Sequence, residues 1–287
     1  MAGTTETEEQ TTERRIVVGV DGSEQAKTAL VWAAAEAKRR GTLLQVVCAY
    51  KRPPLSDGSR DDYTEAAQKV VDGALVVLSS MTPEVVTKGE VREQSAAPAL
   101  LEASDGAELL VVGSRGHGGF SGLLLGSVSQ KCVHHGRCPV AVVRPTSAGR
   151  GAGPIVVGVD GSANADEAVR FAAREAVLRH RVLRIVHAWQ FPPIGGYVAG
   201  PVAGYAELAE EYVDKGAELA RSVAPELEIE TVTSMYSAAE GLLHASQGAE
   251  LLVVGARGHG GFSGLLVGSV SQECASHAAC PVVVVRQ

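Results

Sequence analysis

Residues 17–23 read VVGVDGS, and residues 156–162 read VVGVDGS again. Residues 113–132, GSRGHGGFSGLLLGSVSQKC, return at residues 255–274 as GARGHGGFSGLLVGSVSQEC. The chain is therefore two versions of one unit, and the character of that unit decides the fold. The first motif is offset by 139 positions and the second by 142, so the second copy carries three extra residues between them. Residues 146–153, TSAGRGAG, are small and polar, the composition of a flexible linker. They divide the chain into units at residues 15–145 and 154–287, preceded by an acidic tail, residues 1–14, expected to be disordered.

Within each copy, short β-branched runs without alternation are separated by longer stretches of helical period, the pattern of parallel strands covered by helices on both faces. In the first copy, strands are expected over residues 15–20, 43–50, 84–93, 109–113 and 140–144, and helices over 24–40, 62–80, 97–104 and 127–135. Ala26, Leu30, Ala33 and Ala37 share one face of the first helix, small enough for close approach to a sheet. Lys38-Arg39-Arg40-Gly41 supplies a basic helix end and a glycine stop. Repeated βα units with right-handed crossovers give an open doubly wound sheet, whose ligands bind beyond the carboxyl ends of the strands where the order reverses. The loops after the first and fourth strands are the ones that can carry chemistry.

Composition narrows the partners. The 287 residues hold 33 acidic and 26 basic side chains for a net charge of −7, a poor balance for neutralising nucleic-acid phosphates. No apolar run approaches a membrane span and the N-terminus lacks the apolar core of a leader, so a cytoplasmic protein is expected. Five cysteines without a CxxC pair fit reduced thiols better than a disulfide framework.

After the fourth strand comes Gly113-x2-Gly116-x9-Gly126-Ser127, and in the second copy Gly255-x2-Gly258-x9-Gly268-Ser269. Glycines admit close backbone approach to an anion, and a serine opening a helix adds a hydroxyl to the helix N–H groups. Arg115 with His117, and Arg257 with His259, place cationic or switchable groups in the same loops. After the first strand stand Asp21 and Asp160, which can accept hydrogen bonds from ribose hydroxyls or simply turn the chain and cap the next helix. The Walker pattern is missing its lysine before Ser127 and Ser269, and the dinucleotide GxGxxG is missing after the first strand.

These features, with the closing Cys138-Pro139-Val140 and Cys280-Pro281-Val282 strands, resemble the universal stress protein family, here as a tandem two-domain, ATP-binding member. The resemblance implies a five-stranded parallel sheet of order 3-2-1-4-5 in each α/β domain, with ATP, with or without Mg²⁺, bound in each. It implies that Asp21 and Asp160 contact ribose with Gly19 and Gly158 beside the nucleoside, and that the backbone at Ala49 and Ala188 recognises adenine. Gly113, Gly116, Gly126, Ser127 and Val128 would hold phosphates, as would Gly255, Gly258, Gly268, Ser269 and Val270. The family's His-Val at the second strand end is Cys48-Ala49 in the first copy and His187-Ala188 in the second.

Cys132, His134, His135 and Cys138, and likewise Cys274, His277 and Cys280, are too close along one helix end to converge on a tetrahedral ion. A hydrolase needs a positioned base and commonly a Mg²⁺ carboxylate, and the glycine loops contain no acidic residue while Asp21 and Asp160 are assigned to the other end of the nucleotide. The expected function is an ATP-binding stress-response regulator with little or no turnover. A slow ATPase or phosphotransferase, or a module for another adenine nucleotide such as cyclic AMP, are the alternatives. The apolar fifth strands, expected at sheet edges, imply pairing of the two domains and a homodimer through edge strands.

Overall fold

The computed structural model describes residues 14–52, 60–117, 124–145, 152–190, 202–259 and 267–287. The expected tail up to residue 13 and most of the expected linker, residues 146–151, lie outside them. In the first half the elements are β1 (Arg15–Gly19), α1 (Glu24–Arg40), β2 (Leu43–Tyr50), α2 (Arg60–Met81), β3 (Thr87–Glu93), α3 (Ala96–Ala103), β4 (Leu109–Gly113), α4 (Ser127–His135) and β5 (Val140–Val143). In the second they are β6 (Ile155–Gly158), α5 (Ala163–Arg179), β7 (Leu183–Ala188), α6 (Val202–Val223), β8 (Ile229–Ser234), α7 (Ala238–Ala245), β9 (Leu251–Gly255), α8 (Ser269–His277) and β10 (Val282–Val285).

Local chemistry sets these boundaries. Ser23 caps α1 by accepting the Ala26 amide at 3.2 Å, and Gly41, at φ 60°, ends it in the left-handed region. Ser162 caps α5 in the same way, but its C-cap is His180 at φ 54°, a conformation that costs an L side chain what it does not cost glycine. The third strand starts at Thr87 and not at residue 84, because the Val85 amide bonds the Thr82 carbonyl at 3.0 Å and spends residues 82–85 on a turn.

The strands form one ten-stranded sheet of order β3-β2-β1-β4-β5-β10-β9-β6-β7-β8, so each half has the order 3-2-1-4-5. Neighbours are parallel within each half. At the centre β5 pairs antiparallel with β10, with Val142 opposite Val282, Ala141 opposite Val283 and Val140 opposite Val284. The fifth strands are thus interior to the sheet, each using the other as its neighbour, and the outer edges are β3 and β8.

Alternate strand residues feed two buried layers. Ile16, Val18, Ala141 and Val143 pack with α1 and α2 and their counterparts α5 and α6, while Val17, Leu110, Val140 and Val142 pack with α3, α4, α7 and α8. Helices therefore cover both faces, which is why the strands read as continuous apolar runs. Among the described residues no helix is long and apolar enough to cross a membrane.

A group of charges crosses the seam. Glu36 and Glu175 have side chains 1% and 2% exposed, and Arg179 reaches both, at 2.7 and 2.9 Å. Arg40 pairs with Glu175 across the seam and lies 3.5 Å from Glu36 on its own helix. The arrangement is reciprocal: Arg40 lies over the Phe171 ring and Arg179 over the Trp32 ring, each 5.9 Å from the centroid. Arg40 thus does more than finish α1 with positive charge.

Candidate functional site

Beyond the carboxyl ends of β1, β2 and β4 lies a cavity of about 440 Å³, and the second half holds its counterpart of about 560 Å³. Both volumes fall in the range of small-molecule sites. Gly19, Asp21, Ala49, Gly113, Arg115, Gly116, His117, Gly126, Ser127 and Val128 all line the first cavity. Gly158, Asp160, Ala188, Gly255, Arg257, Gly258, His259, Gly268, Ser269 and Val270 all line the second. The middle of each glycine loop, residues 118–123 and 260–266, lies outside the described residues.

One wall of each cavity is a helix N-terminus. The first amides of a helix have no intrahelical acceptor, and Gly126 and Gly268 stand at the N-cap of α4 and α8, where no side chain caps either helix. Unlike the serine caps of α1 and α5, an N-cap glycine leaves the N–H groups and the positive end of the helix dipole open toward the cavity. The loop is pinned at both ends, because the Gly126 amide donates to the Ser114 carbonyl at 2.7 Å and the Ser129 hydroxyl to the Gly113 carbonyl at 2.6 Å. Ser271 makes the same 2.6 Å bond to Gly255. These two buried serines were not among the sequence candidates, although both copies read GSVS at that place.

Asp21 forms a latch across the cavity mouth. Its Oδ1 accepts the Ser23 amide at 2.9 Å and its Oδ2 the His117 amide at 3.0 Å; Asp160 does the same with Ser162 and His259, each at 3.0 Å. Partial burial pushes the Asp21 carboxyl up, but the hydrogen bonds from Ser23 and His117 outweigh it and hold the group below the usual carboxylate range. The aspartates, expected at the opposite end of a nucleotide from its phosphates, are thus also bonded to the backbone of the glycine loops. The aspartate touches the loop itself, and a Cβ on Gly116 would lie 2.3 Å from Asp21 Oδ2, or on Gly258 2.1 Å from Asp160 Oδ2. A side chain at the second glycine of each loop would displace the carboxylate beside it, a reason for glycine that stands beside the anion approach the spacing suggested.

The apolar wall comes from Val47, Leu100 and Val112 in the first cavity and Val186, Leu242 and Val254 in the second. Gly19 and Gly158 make room for the leucines, since a Cβ there would stand 2.7 Å from Leu100 Cδ1 and 2.9 Å from Leu242 Cδ1. The cavities differ at the second strand end. His187 lines the second, with Nδ1 2.7 Å from the Val159 carbonyl oxygen and its ring 4.9 Å from that of Tyr212. Cys48, at the matching place, is buried, and burial followed by the Asp21 charge pushes its thiol up to about 11.

A larger groove of about 730 Å³ runs between the end of α5 and the α6–β8 connection, lined by Val177, Val223 and Leu227. It lies away from the strand ends that carry the glycine loops, and Lys38, which matches Val177, pairs with Glu84 in the first half. The paired cavities, with their convergent polar groups, are the better site. Among the described residues no group of three or more His, Cys, Asp or Glu is placed to hold a metal ion.

Fold and site together define a class, a fused pair of doubly wound domains, each with an uncapped helix end at its topological switch point. The family model for the universal stress protein family matches residues 13–144 and again 152–286. The chain is 32% identical over 291 residues to universal stress protein Rv2623 of Mycobacterium tuberculosis, covering 95% of this chain and 96% of that one. It is 33% identical over 292 residues to a universal stress protein of Mycolicibacterium smegmatis, covering 96% and 98%. A crystal structure of a universal stress protein from Archaeoglobus fulgidus superposes with a TM-score of 0.70 at 20% identity, over 96% of this chain and 99% of that one. The chain belongs to the universal stress protein family, as a tandem two-domain member.

Proposed function

We propose that each domain, residues 15–145 and 154–287, binds one adenine nucleotide, with ATP the preferred ligand, and that the protein is a stress-response regulator biased by its bound ligand. The single observation that carries this reading is the pair of matched cavities in which an uncapped helix N-terminus faces an apolar wall. Triphosphate oxygens accept from the amides of Ser127 and Val128, or Ser269 and Val270, with Arg115 or Arg257 adding charge. Ribose hydroxyls donate to Asp21 or Asp160, and adenine lies against the leucine wall beside Ala49 or Ala188. Mg²⁺ arriving with ATP would take its ligands largely from phosphate and water.

Asp21 and Asp160 already accept two backbone amides each, which favours a binding role over that of a general base. Nucleotide then acts by stabilising the conformation that holds it. Association between chains, if the domains' fifth strands are occupied by each other, uses the outer edges β3 or β8, and a strictly monomeric sedimentation profile would count against it.

The test is to denature purified protein, identify the nucleotide released, and titrate the stripped protein with ATP, ADP and cyclic AMP. About two ATP per chain, with turnover well below roughly 1 s⁻¹, supports the reading. No nucleotide released and none bound would sink it, and preference for cyclic AMP would replace ATP as the ligand.

A further inference from the structure

Two arginines outside the cavities each reach across the seam to a helix of the other domain. Arg144 follows β5 and Arg286 follows β10, at matched places in the two copies. Arg144 crosses the seam: its Nη2 donates to the Ala275 carbonyl at 3.0 Å and to that of Ser276, in the last turn of α8. The same nitrogen donates at 3.2 Å to Leu124, where its own domain's glycine loop returns toward α4. Arg286 crosses the other way, donating to the Val133 and His134 carbonyls of α4 at 3.2 and 2.7 Å. Each helix thus presents its N-terminus to its own domain's cavity and has its C-terminal carbonyls, the negative end of the dipole, held by a cation from the opposite domain.

The helix between those ends is short. Nine residues of α8 at a rise of 1.5 Å span about 13 Å, a length over which a hydrogen-bonded helix moves as one body. A shift of the first glycine loop at Leu124 moves the Arg144 guanidinium, and the guanidinium carries the far end of the helix that walls the second cavity. Charge acts in the same direction. Burial, and then the neighbouring Arg115, weakens the hold of Arg144 on its proton, and Arg257 acts likewise on Arg286. An anion beside Arg115 would lessen that opposition and strengthen the bonds that Arg144 already makes to Ala275 and Ser276.

We infer that Arg144 and Arg286 are positioning residues for the opposite domain's cavity, and that through them occupancy of one site changes the affinity of the other. The inference rests on the cavities being nucleotide sites, and linkage makes the coupling reciprocal. Neither arginine lines a cavity, so the effect passes through α8 and α4.

ATP is titrated calorimetrically into the full chain, into Gly116→Val, into Arg144→Met/Arg286→Met, and into the combination, with a thermal scan of each. Closing the first site with Gly116→Val shifts the affinity of the second by about fivefold or more when the arginines are present, and by less than about twofold when they are replaced. A second measurement needs no nucleotide. Amide hydrogen exchange at residues 272–274, the first intrahelical bonds of α8, rises about threefold or more in Arg144→Met, with Arg144→Lys between the two because lysine keeps the charge and loses the fork. Lower melting temperatures with unchanged coupling and unchanged exchange would make the arginines mere glue and overturn the inference. ATP binding at two independent sites with unchanged exchange overturns it while leaving the nucleotide reading intact. Exchange that responds to Arg144→Met in a protein that binds no ATP supports the positioning role and removes the nucleotide reading.

Discussion

Replacing Arg179 with methionine removes a guanidinium whose side chain is 2% exposed and which reaches Glu36 at 2.7 Å, Glu175 at 2.9 Å and Glu250 at 3.1 Å. Of the three glutamates left behind, Glu36 and Glu175 are 1% and 2% exposed, so water cannot take the place of the lost cation there. Breaking a buried pair from one side costs about 3–5 kcal/mol. Glu36 keeps Arg39 and Arg40, and Glu175 keeps Arg40, which places the expected loss near the lower end, about 3 kcal/mol. At roughly 2–4 °C per kcal/mol for a chain of this class, the melting temperature falls by about 6–12 °C. Equilibrium unfolding in urea measures the free energy directly. Lys27→Met, which breaks a pair with side chains 62% and 79% exposed, serves as the control and gives no resolved change. A loss below about 1 kcal/mol for Arg179→Met would refute the claim that the seam is a desolvated charge network.

Asp21→Asn lowers stability at neutral pH. Because the folded carboxyl lies below its unfolded value of about 3.9, that difference persists above about pH 4 and disappears as pH falls through the folded value; melting curves from pH 7 to 2 show it. Gly116→Ala weakens nucleotide binding through the Asp21 carboxylate, so on top of Asp21→Ala it costs less than about 0.5 kcal/mol more by titration, whereas full additivity would return the glycine to phosphate approach. All five cysteines are buried and burial pushes Cys132 and Cys274 up to about 12, so an aromatic disulfide reagent at pH 8 modifies them only after denaturation, and rapid native labelling contradicts this. His180→Gly removes a left-handed side chain and raises stability by about 0.5–1 kcal/mol, read from urea unfolding.

The sequence carries the strands, the helices and both glycine loops in plain view, since β-branched runs, serine caps and repeated motifs are local signals. Four of the five strands expected in the first copy begin at the residue where the structure begins them, and the third departs because a turn at residues 82–85 outcompetes extension. What could not be read is whatever depends on one copy meeting the other. Glu36 and Arg40 look like ordinary polar positions on an exposed helix end, and only the approach of Glu175 and Arg179 makes them interior. Their one sequence trace is the matched spacing of glutamate and arginine, four residues apart, on both α1 and α5. The role of Gly116 was hidden for a related reason. Its neighbour Asp21 is 95 positions away, and spacing within the loop says nothing of a side chain arriving from β1.

The antiparallel seam also has a history within each molecule's synthesis. Its two strands, β5 and β10, are separated by the whole of the second domain, and the ribosome adds about 5–20 residues per second. Once β5 has emerged it can pair with β4, and its other edge then stays open for about 7–30 s before its designated neighbour exists. Nascent chains on one message are close neighbours during that interval, each with the same open Val140–Val143 edge. The order in which the halves are made therefore leaves two candidates for that edge, β10 of the same chain and β5 of the next.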